Sequence, residues 1–220
     1  MTLWIVDPSI RHAEDQGVAQ IRLGWPGQVR LFRPVLQPGD GPSPADGYDA
    51  DGVVVMGSAA SVYESHPWLE RLGEWLDPII KGQHRIPLLG ICFGHQLIAH
   101  RAGGEVGFLA PNRQKRVGIE TSELKGSRLL PGRHELLVVV SHREQVSRLP
   151  EGYRRVARRD GVANDGMEHR ELPIFSFQFH PEARDEFAAR AGIGRDELVP
   201  RVREDSQRIL GAFRAIVLGT

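Results

Sequence analysis

Through the first half of the chain, short apolar runs alternate with longer amphipathic or polar stretches. Residues 3–6, 52–56 and 86–91 are short and almost wholly apolar, the pattern of strands covered on both faces. Residues 29–35 predict a further strand, and residues 37–50, rich in Pro, Gly and Asp, predict a surface loop. Residues 67–81 place Trp68, Leu69, Leu72, Trp75, Leu76, Ile79 and Ile80 on one face of a helix. Residues 97–101 continue a second helix that Gly103 and Gly104 stop. The second half is richer in strands, with candidates at 117–120, 136–140, 153–158 and 174–179. Beyond Glu182 the chain turns helical: Val202, Ile209, Leu210, Phe213, Ile216 and Val217 recur at spacings that dock a helix on a core. The strand–helix alternation predicts an α/β fold, a parallel sheet with helices on both faces, and no internal domain boundary or repeat.

Composition narrows the function classes. Lys plus Arg and Asp plus Glu both number 28, so no whole-chain charge draws the protein to nucleic acid or to an anionic membrane. The single cysteine excludes an internal disulfide and fits a reducing compartment. The first residues lack the basic start and apolar core of a signal peptide, and no apolar run is long enough to span a bilayer. A cytoplasmic enzyme or binding protein of one domain is the expectation.

Candidate chemistry concentrates at that cysteine. Gly90, Cys92 and Gly94 form a G-x-C-x-G pattern between an apolar strand and a helix. This is the thiol counterpart of a nucleophile elbow. A sharp strand-to-helix turn strains the nucleophile's backbone and leaves no room for side chains at the flanking positions. It lifts the sulfur above the carboxyl edge of the sheet, where the helix N-terminus favours the reactive thiolate. A lone cysteine is more often buried and inert. The two glycines and the strand–turn–helix context favour a nucleophile instead.

The run F-Q-F-H-P-E at 177–182 closes another strand. A histidine at a strand end in the same sheet can reach the sulfur, and neutral imidazole can take the thiol proton. Glu182 can hold the other ring nitrogen and fix the tautomer. Pro181 restricts His180 to extended geometry. One of nine histidines near a strand end means little alone; the H-P-E run after an alternating aromatic strand is the informative feature.

Residues 90–96 (G-I-C-F-G-H-Q) and 177–182 together resemble the class I, or triad, glutamine amidotransferases. The resemblance covers roughly residues 1–185 and points to the glutaminase domains of GMP synthase and their free-standing counterparts. It implies a flavodoxin-like open, mostly parallel sheet with a small antiparallel addition. Residues 186–220 would then be a C-terminal helical extension packed on the same domain.

The resemblance also implies a mechanism. Cys92 attacks the carboxamide of L-glutamine, and His180, oriented by Glu182, passes the thiol proton to the leaving ammonia. Water then hydrolyses a γ-glutamyl thioester. The backbone N–H of Phe93 and that of Gly57 or Ser58 would form the oxyanion hole. Gln96 stands at the family's substrate-contacting glutamine. Ser141, His142 and Arg143, within residues 140–144, resemble the loop whose backbone holds the amino-acid end of the substrate. No cofactor or metal is implied. The chain shows no P-loop motif and no ATP pyrophosphatase region, so ammonia would pass to a separate acceptor or synthase protein.

Two departures stand out. The family usually has two glycines and a proline where this chain has Gly57, Ser58 and Ala59, and often a glycine where it has Arg143. Two other functions suit the same residues: a self-contained hydrolase of γ-glutamyl amides or peptides, and a non-catalytic regulatory module that kept the fold. Arg154, Arg155, Arg158 and Arg159 read as a solvated hairpin surface, with a docking face for an acidic partner as the sharper alternative. His95 and His100 are five apart with no carboxylate at H-E-x-x-H spacing, so no zinc motif is read. Residues 108–115 read as a loop that nothing forces to the edge of a pocket.

Overall fold

The computed structural model describes residues 1–220. A nine-stranded sheet runs through the molecule. One half is parallel and places side by side β2 (Gln28–Phe32), β1 (Thr2–Val6), β3 (Gly52–Val55), β4 (Leu88–Ile91) and β11 (Ile174–Phe177). Helix α1 (Asp15–Ile21) connects β1 to β2, α2 (Pro67–Ile80) connects β3 to β4, and α3 (Phe93–Arg101) follows β4.

Because successive strand residues point to opposite faces, the parallel strands feed two apolar layers. Trp4, Val6, Val53, Val55 and Leu88 pack with α2 and α3. Ile5, Val54, Met56, Leu89 and Ile91 pack with α1 and with α5 (Pro200–Leu218) through Ile209, Leu210 and Phe213. Burying each such side chain stabilises the fold by about 1.5–3 kcal/mol relative to its exposure. The apolar face expected over residues 67–81 is the buried face of α2, whose Trp75 also donates its indole N–H to the Gly47 carbonyl at 3.0 Å.

Beyond β11 the same sheet continues antiparallel through β10 (Val162–His169), β9 (Tyr153–Arg159), β6 (Arg116–Lys125) and β7 (Arg133–His142). The antiparallel part is thus four strands wide and continuous with the parallel part. A separate ladder pairs β5 (Glu105–Phe108) with β8 (Glu144–Arg148). α4 (Asp185–Ala191) packs through Ala188 against Val139, beside Ile193, Leu198 and Val202. No helix is long and apolar enough to cross a membrane.

Several sequence expectations change. The strand expected over 29–35 stops at Phe32, because Arg33 leaves the ladder to bond the Asp40 carboxylate. The strand expected over 174–179 stops at Phe177: the Gln178 N–H turns to the Asp165 carbonyl and the His180 N–H to the Val139 carbonyl. Helix α1 and strands β5, β8 and β10 have no counterpart in the apolar pattern. β10 is hidden because Asn164, Asp165 and Glu168 are buried polar residues within a strand. The arginine hairpin is not a plainly solvated surface: Arg159 is buried against Asp165 and Glu120, Arg154 pairs with Glu168, and Arg158 pairs with Glu123.

Candidate active site

Cys92 sits between the last residue of β4 and the first of α3 with φ of 50° and ψ of −97°. A non-glycine residue at positive φ is strained and persists only where its surroundings enforce it. The flanking glycines do so. A Cβ on Gly94 would lie 2.2 Å from the Val55 carbonyl oxygen, and one on Gly90 would lie 2.7 Å from the Gly94 carbonyl. The turn therefore closes only with glycine at both places. It sets the sulfur at the N-terminus of α3, where the first helical amides have no intrahelical acceptor.

His180 and Glu182 come to the same sheet edge from the segment after β11. The Val139 carbonyl anchors the His180 backbone, and Phe187 of α4 packs on its ring with centroids 4.4 Å apart. Nδ1 lies 2.9 Å from Glu182 Oε1, whereas Nε2 has no hydrogen-bond partner although the ring is buried. Burial opposes a charge on the ring, but the charges of Cys92 and Glu182 outweigh it and raise the His180 pKa above its free value of 6.5. Sulfur, imidazole and carboxylate thus form one electrostatic unit. Glu182 lies beneath α1, where a Cβ on Gly17 would stand 3.0 Å from Glu182 Cγ. That approach gives a reason for a glycine inside so short a helix.

Gly57 closes the other wall. A Cβ there would lie 2.7 Å from His180 Cε1 and 3.6 Å from Cys92 Cβ. The Gly57 and Ser58 amides bond to no protein carbonyl, and Phe93, first residue of α3, has an N–H without an intrahelical partner. Around the elbow, three backbone donors are thus left without a protein acceptor.

A buried polar network forms the remaining wall. The Gln178 amide N–H points to Cys92 Sγ at 3.5 Å, and its oxygen accepts from Gln96 Nε2 at 3.1 Å. Gln96 Nε2 also donates to the Glu144 carbonyl at 2.8 Å. His142 meets that carbonyl through Nδ1 at 2.9 Å and receives Arg159 Nη2 on Nε2 at 2.8 Å. Arginine can only donate, so the neutral ring carries its proton on Nδ1. Burial and the Arg159 charge push its pKa down to about 4, consistent with that neutral state.

The family model described as Glutamine amidotransferase class-I matches residues 37–191, a span that holds the elbow, His180 and Glu182. The chain belongs to the class I glutamine amidotransferases. A glutamine-hydrolysing GMP synthase subunit of Methanopyrus kandleri is 35% identical over 136 residues, covering 61% of this chain and 68% of that one. The corresponding protein of Pyrococcus furiosus is 36% identical over 138 residues, covering 60% and 70%. The match to the glutamine-hydrolysing GMP synthase of Wolinella succinogenes is 35% identical but spans only 24% of that longer protein. Among solved structures, a Thermotoga maritima glutamine amidotransferase superposes with a TM-score of 0.77 at 20% identity, covering 100% of this chain and 99% of that one. That likeness shows the fold.

Both departures from the amidotransferase pattern have structural readings. Ser58 Oγ donates to the Pro8 carbonyl at 2.7 Å and accepts from the Ala60 N–H at 3.2 Å, so the hydroxyl pins the strand exit that glycines and proline usually shape in the family. Arg143 is the single residue between β7 and β8, and its side chain is exposed. The structure brings Cys92, His180, Glu182, Gly57, Ser58, Phe93 and Gln96 together. The ring of His142 is committed to Arg159 and the Glu144 carbonyl, which leaves only its backbone for a ligand. Gln178 carries no role that the sequence alone assigns, although it stands inside the F-Q-F-H-P-E run. His95 is no metal ligand: it is buried between Ser176 Oγ at 2.8 Å and the Asn164 carbonyl at 3.1 Å, and burial lowers its pKa to about 3.

Gly57→Ala tests the wall directly. The added methyl must displace the His180 ring, while the sheet below is untouched. We expect kcat to fall about a hundredfold, the typical cost of an ångström-scale misplacement, with little change in melting temperature. Circular dichroism melts and steady-state kinetics on the same preparation check both halves.

Proposed function

We propose that this chain hydrolyses L-glutamine to glutamate and ammonia and delivers the ammonia to a separate synthase protein. The observation that carries the reading is the buried His180, with Nδ1 held by Glu182 and Nε2 left without a partner beside an elbow thiol. The Cys92 thiolate adds to the carboxamide carbon, and the oxygen that gains charge is met by the amides of Phe93 and of Gly57 or Ser58. The His180 imidazolium gives its proton to the departing nitrogen, which leaves as ammonia. His180 then takes a proton from water, which attacks the γ-glutamyl thioester. Glutamate departs and the thiolate–imidazolium pair returns.

A partner follows from the relatives, several of which are named as one subunit of a glutamine-hydrolysing GMP synthase. A synthase of that type is the acceptor we propose, with no role for nucleic acid or a membrane. Residues 186–220 we assign to the same functional body, because Ile209, Leu210 and Phe213 of α5 pack beneath the strands that carry the elbow. Cys92 is only 5% exposed, which favours a small side-chain amide over bulky γ-glutamyl peptides. Ammonia release from L-glutamine, measured with and without a GMP-synthase-type partner, tests the reading. We expect slow release from the chain by itself and strong stimulation by the partner. Faster cleavage of γ-glutamyl peptides than of glutamine would favour a self-contained hydrolase.

Glu182→Gln tests the orienting carboxylate. The amide keeps the shape but removes a negative charge that raises the His180 pKa. The alkaline limb of the kcat/KM profile should move to lower pH, because the variant imidazolium surrenders its proton sooner. Activity should fall less than in Cys92→Ala. An unmoved alkaline limb would contradict the charge coupling.

A further inference from the structure

Helix α4 begins three residues after Glu182, and the chain between them is tied down from inside. Arg184 is buried and donates Nη1 to the Pro181 and Ala183 carbonyls at 3.2 and 2.6 Å. The helix itself is anchored in two places. Ala188 packs against Val139 of β7, the residue whose carbonyl accepts the His180 N–H at 2.9 Å. Arg190 pairs with Glu14, just before α1, and the Glu186 N–H donates to Gln16 Oε1 of α1 at 3.0 Å. Phe187 lies among these anchors. It is part-buried, with its ring centroid 4.4 Å from that of His180 and the two planes inclined at 42°. Ala188 is the one fully buried residue of α4, so the helix docks through alanine and leaves the phenyl ring on the imidazole.

The imidazole needs more than its hydrogen bond to stay in place. The torsion that turns a histidine ring has broad wells, so one contact to one nitrogen does not fix it. Nδ1 meets Glu182 Oε1 at 2.9 Å, whereas Nε2 and Glu182 Oε2 are buried without a partner. The chain leaving β3 limits the ring at Cε1, which a Cβ on Gly57 would approach within 2.7 Å. Phe187 adds a flat apolar contact over the ring itself. Turning the imidazole would therefore displace either the exit of β3 or α4. A ring held in this way keeps Nε2 in one place with no polar partner of its own, as a proton carrier beside a thiol requires. Exclusion of water by the phenyl ring also lowers the local dielectric and strengthens the bond between imidazole and carboxylate.

We propose that Phe187 is a positioning residue for the reaction: carried by α4, it fixes the rotation of the His180 ring and shields the Nδ1–Glu182 bond from water. The proposal rests on the glutaminase reading above and adds a contribution from the chain beyond the F-Q-F-H-P-E run. Phe187 acts through His180 alone. Its loss should lower turnover and leave glutamine binding nearly as it was.

The test compares wild type with Phe187→Ala, Phe187→Tyr and Arg190→Gln, with circular dichroism to confirm the fold. Proton NMR follows the downfield signal of the His180 Nδ1 proton, assigned by its absence in His180→Asn, and ammonia release from L-glutamine gives kcat and KM on the same samples. In Phe187→Ala the signal should vanish through exchange with water. Its kcat should fall about 10- to 100-fold, the cost of an ångström-scale misplacement, with KM within about twofold of wild type. Phe187→Tyr keeps the ring and should keep both the signal and most of the turnover. Arg190→Gln loosens α4 from Glu14 with the phenyl ring in place, so the same proton should exchange faster there, a readout that stands even if alanine unfolds the helix. Unchanged protection of the proton in Arg190→Gln or in folded Phe187→Ala would overturn the proposal, as would a loss of turnover that Phe187→Tyr shares in full. Wild type that shows the shielded proton but releases no ammonia from glutamine would instead overturn the glutaminase reading and leave the positioning of the ring standing.

Discussion

Cys92→Ala is expected to abolish glutamine hydrolysis, with a loss on the order of ten-thousandfold or more, while the fold is retained. Removal of the atom that forms the covalent bond leaves the oxyanion donors and the imidazole with nothing to act on, and residues of such a unit do not contribute additively. Folding should survive because alanine removes only a nearly enclosed sulfur and the flanking glycines that shape the turn remain. Relief of charge has a second consequence. Without the thiolate, His180 loses one of the two charges that raise its pKa, and NMR titration of the variant should show the ring deprotonating at lower pH than in wild type. Activity in Cys92→Ala within tenfold of wild type would remove the mechanism.

Arg159→Met is expected to cost about 3–5 kcal/mol of stability, the usual penalty for breaking a buried pair from one side. Asp165 is fully buried and receives Arg159 Nε and Nη2 at 3.1 and 2.9 Å, with Ser122 Oγ at 2.6 Å as its other partner. Methionine fills similar volume but leaves the carboxylate charged and nearly alone. The damage should reach the site as well, because His142 loses the donor that fixes its tautomer and, through the Glu144 carbonyl, the pocket wall. Urea denaturation should show the lower midpoint, and the KM for glutamine should rise. Adding Asp165→Leu should recover a good part of the lost stability, since two apolar groups replace the pair. A single variant within about 1 kcal/mol of wild type, a value typical of exposed pairs, would contradict the structural role of Arg159.

What the sequence reveals of the fold and the site depends on how local the physics is. The elbow is readable because the constraint on Gly90 and Gly94 comes from atoms a few residues away and from the adjacent strand. The amphipathic face of α2 is readable because helical periodicity is a local signal. β10 is not, because Asn164, Asp165 and Glu168 are tolerable in a buried strand only through partners such as Ser122, Arg159 and Arg154 that lie elsewhere in the sequence. Arg159 looks from sequence like one of four surface arginines, although a buried carboxylate is what separates it from Arg155. Phe187 follows the F-Q-F-H-P-E run in a short polar helix, and only the packing of α4 against Val139 and α1 lays its ring on His180. Gln178 stands within the F-Q-F-H-P-E run without a legible role, because its contact with the sulfur depends on the strand ending at Phe177.

During turnover the sulfur of Cys92 is expected to become covalently bonded to the γ-carbonyl carbon of glutamine. Acid-quenched samples taken during turnover of L-glutamine, analysed by intact mass and peptide mapping, test it most directly. A γ-glutamyl adduct confined to the peptide that carries Cys92 is expected, accumulating when hydrolysis of the thioester is slowed. Steady ammonia release with Cys92 unmodified at every time point, and still accessible to an electrophile, would contradict it.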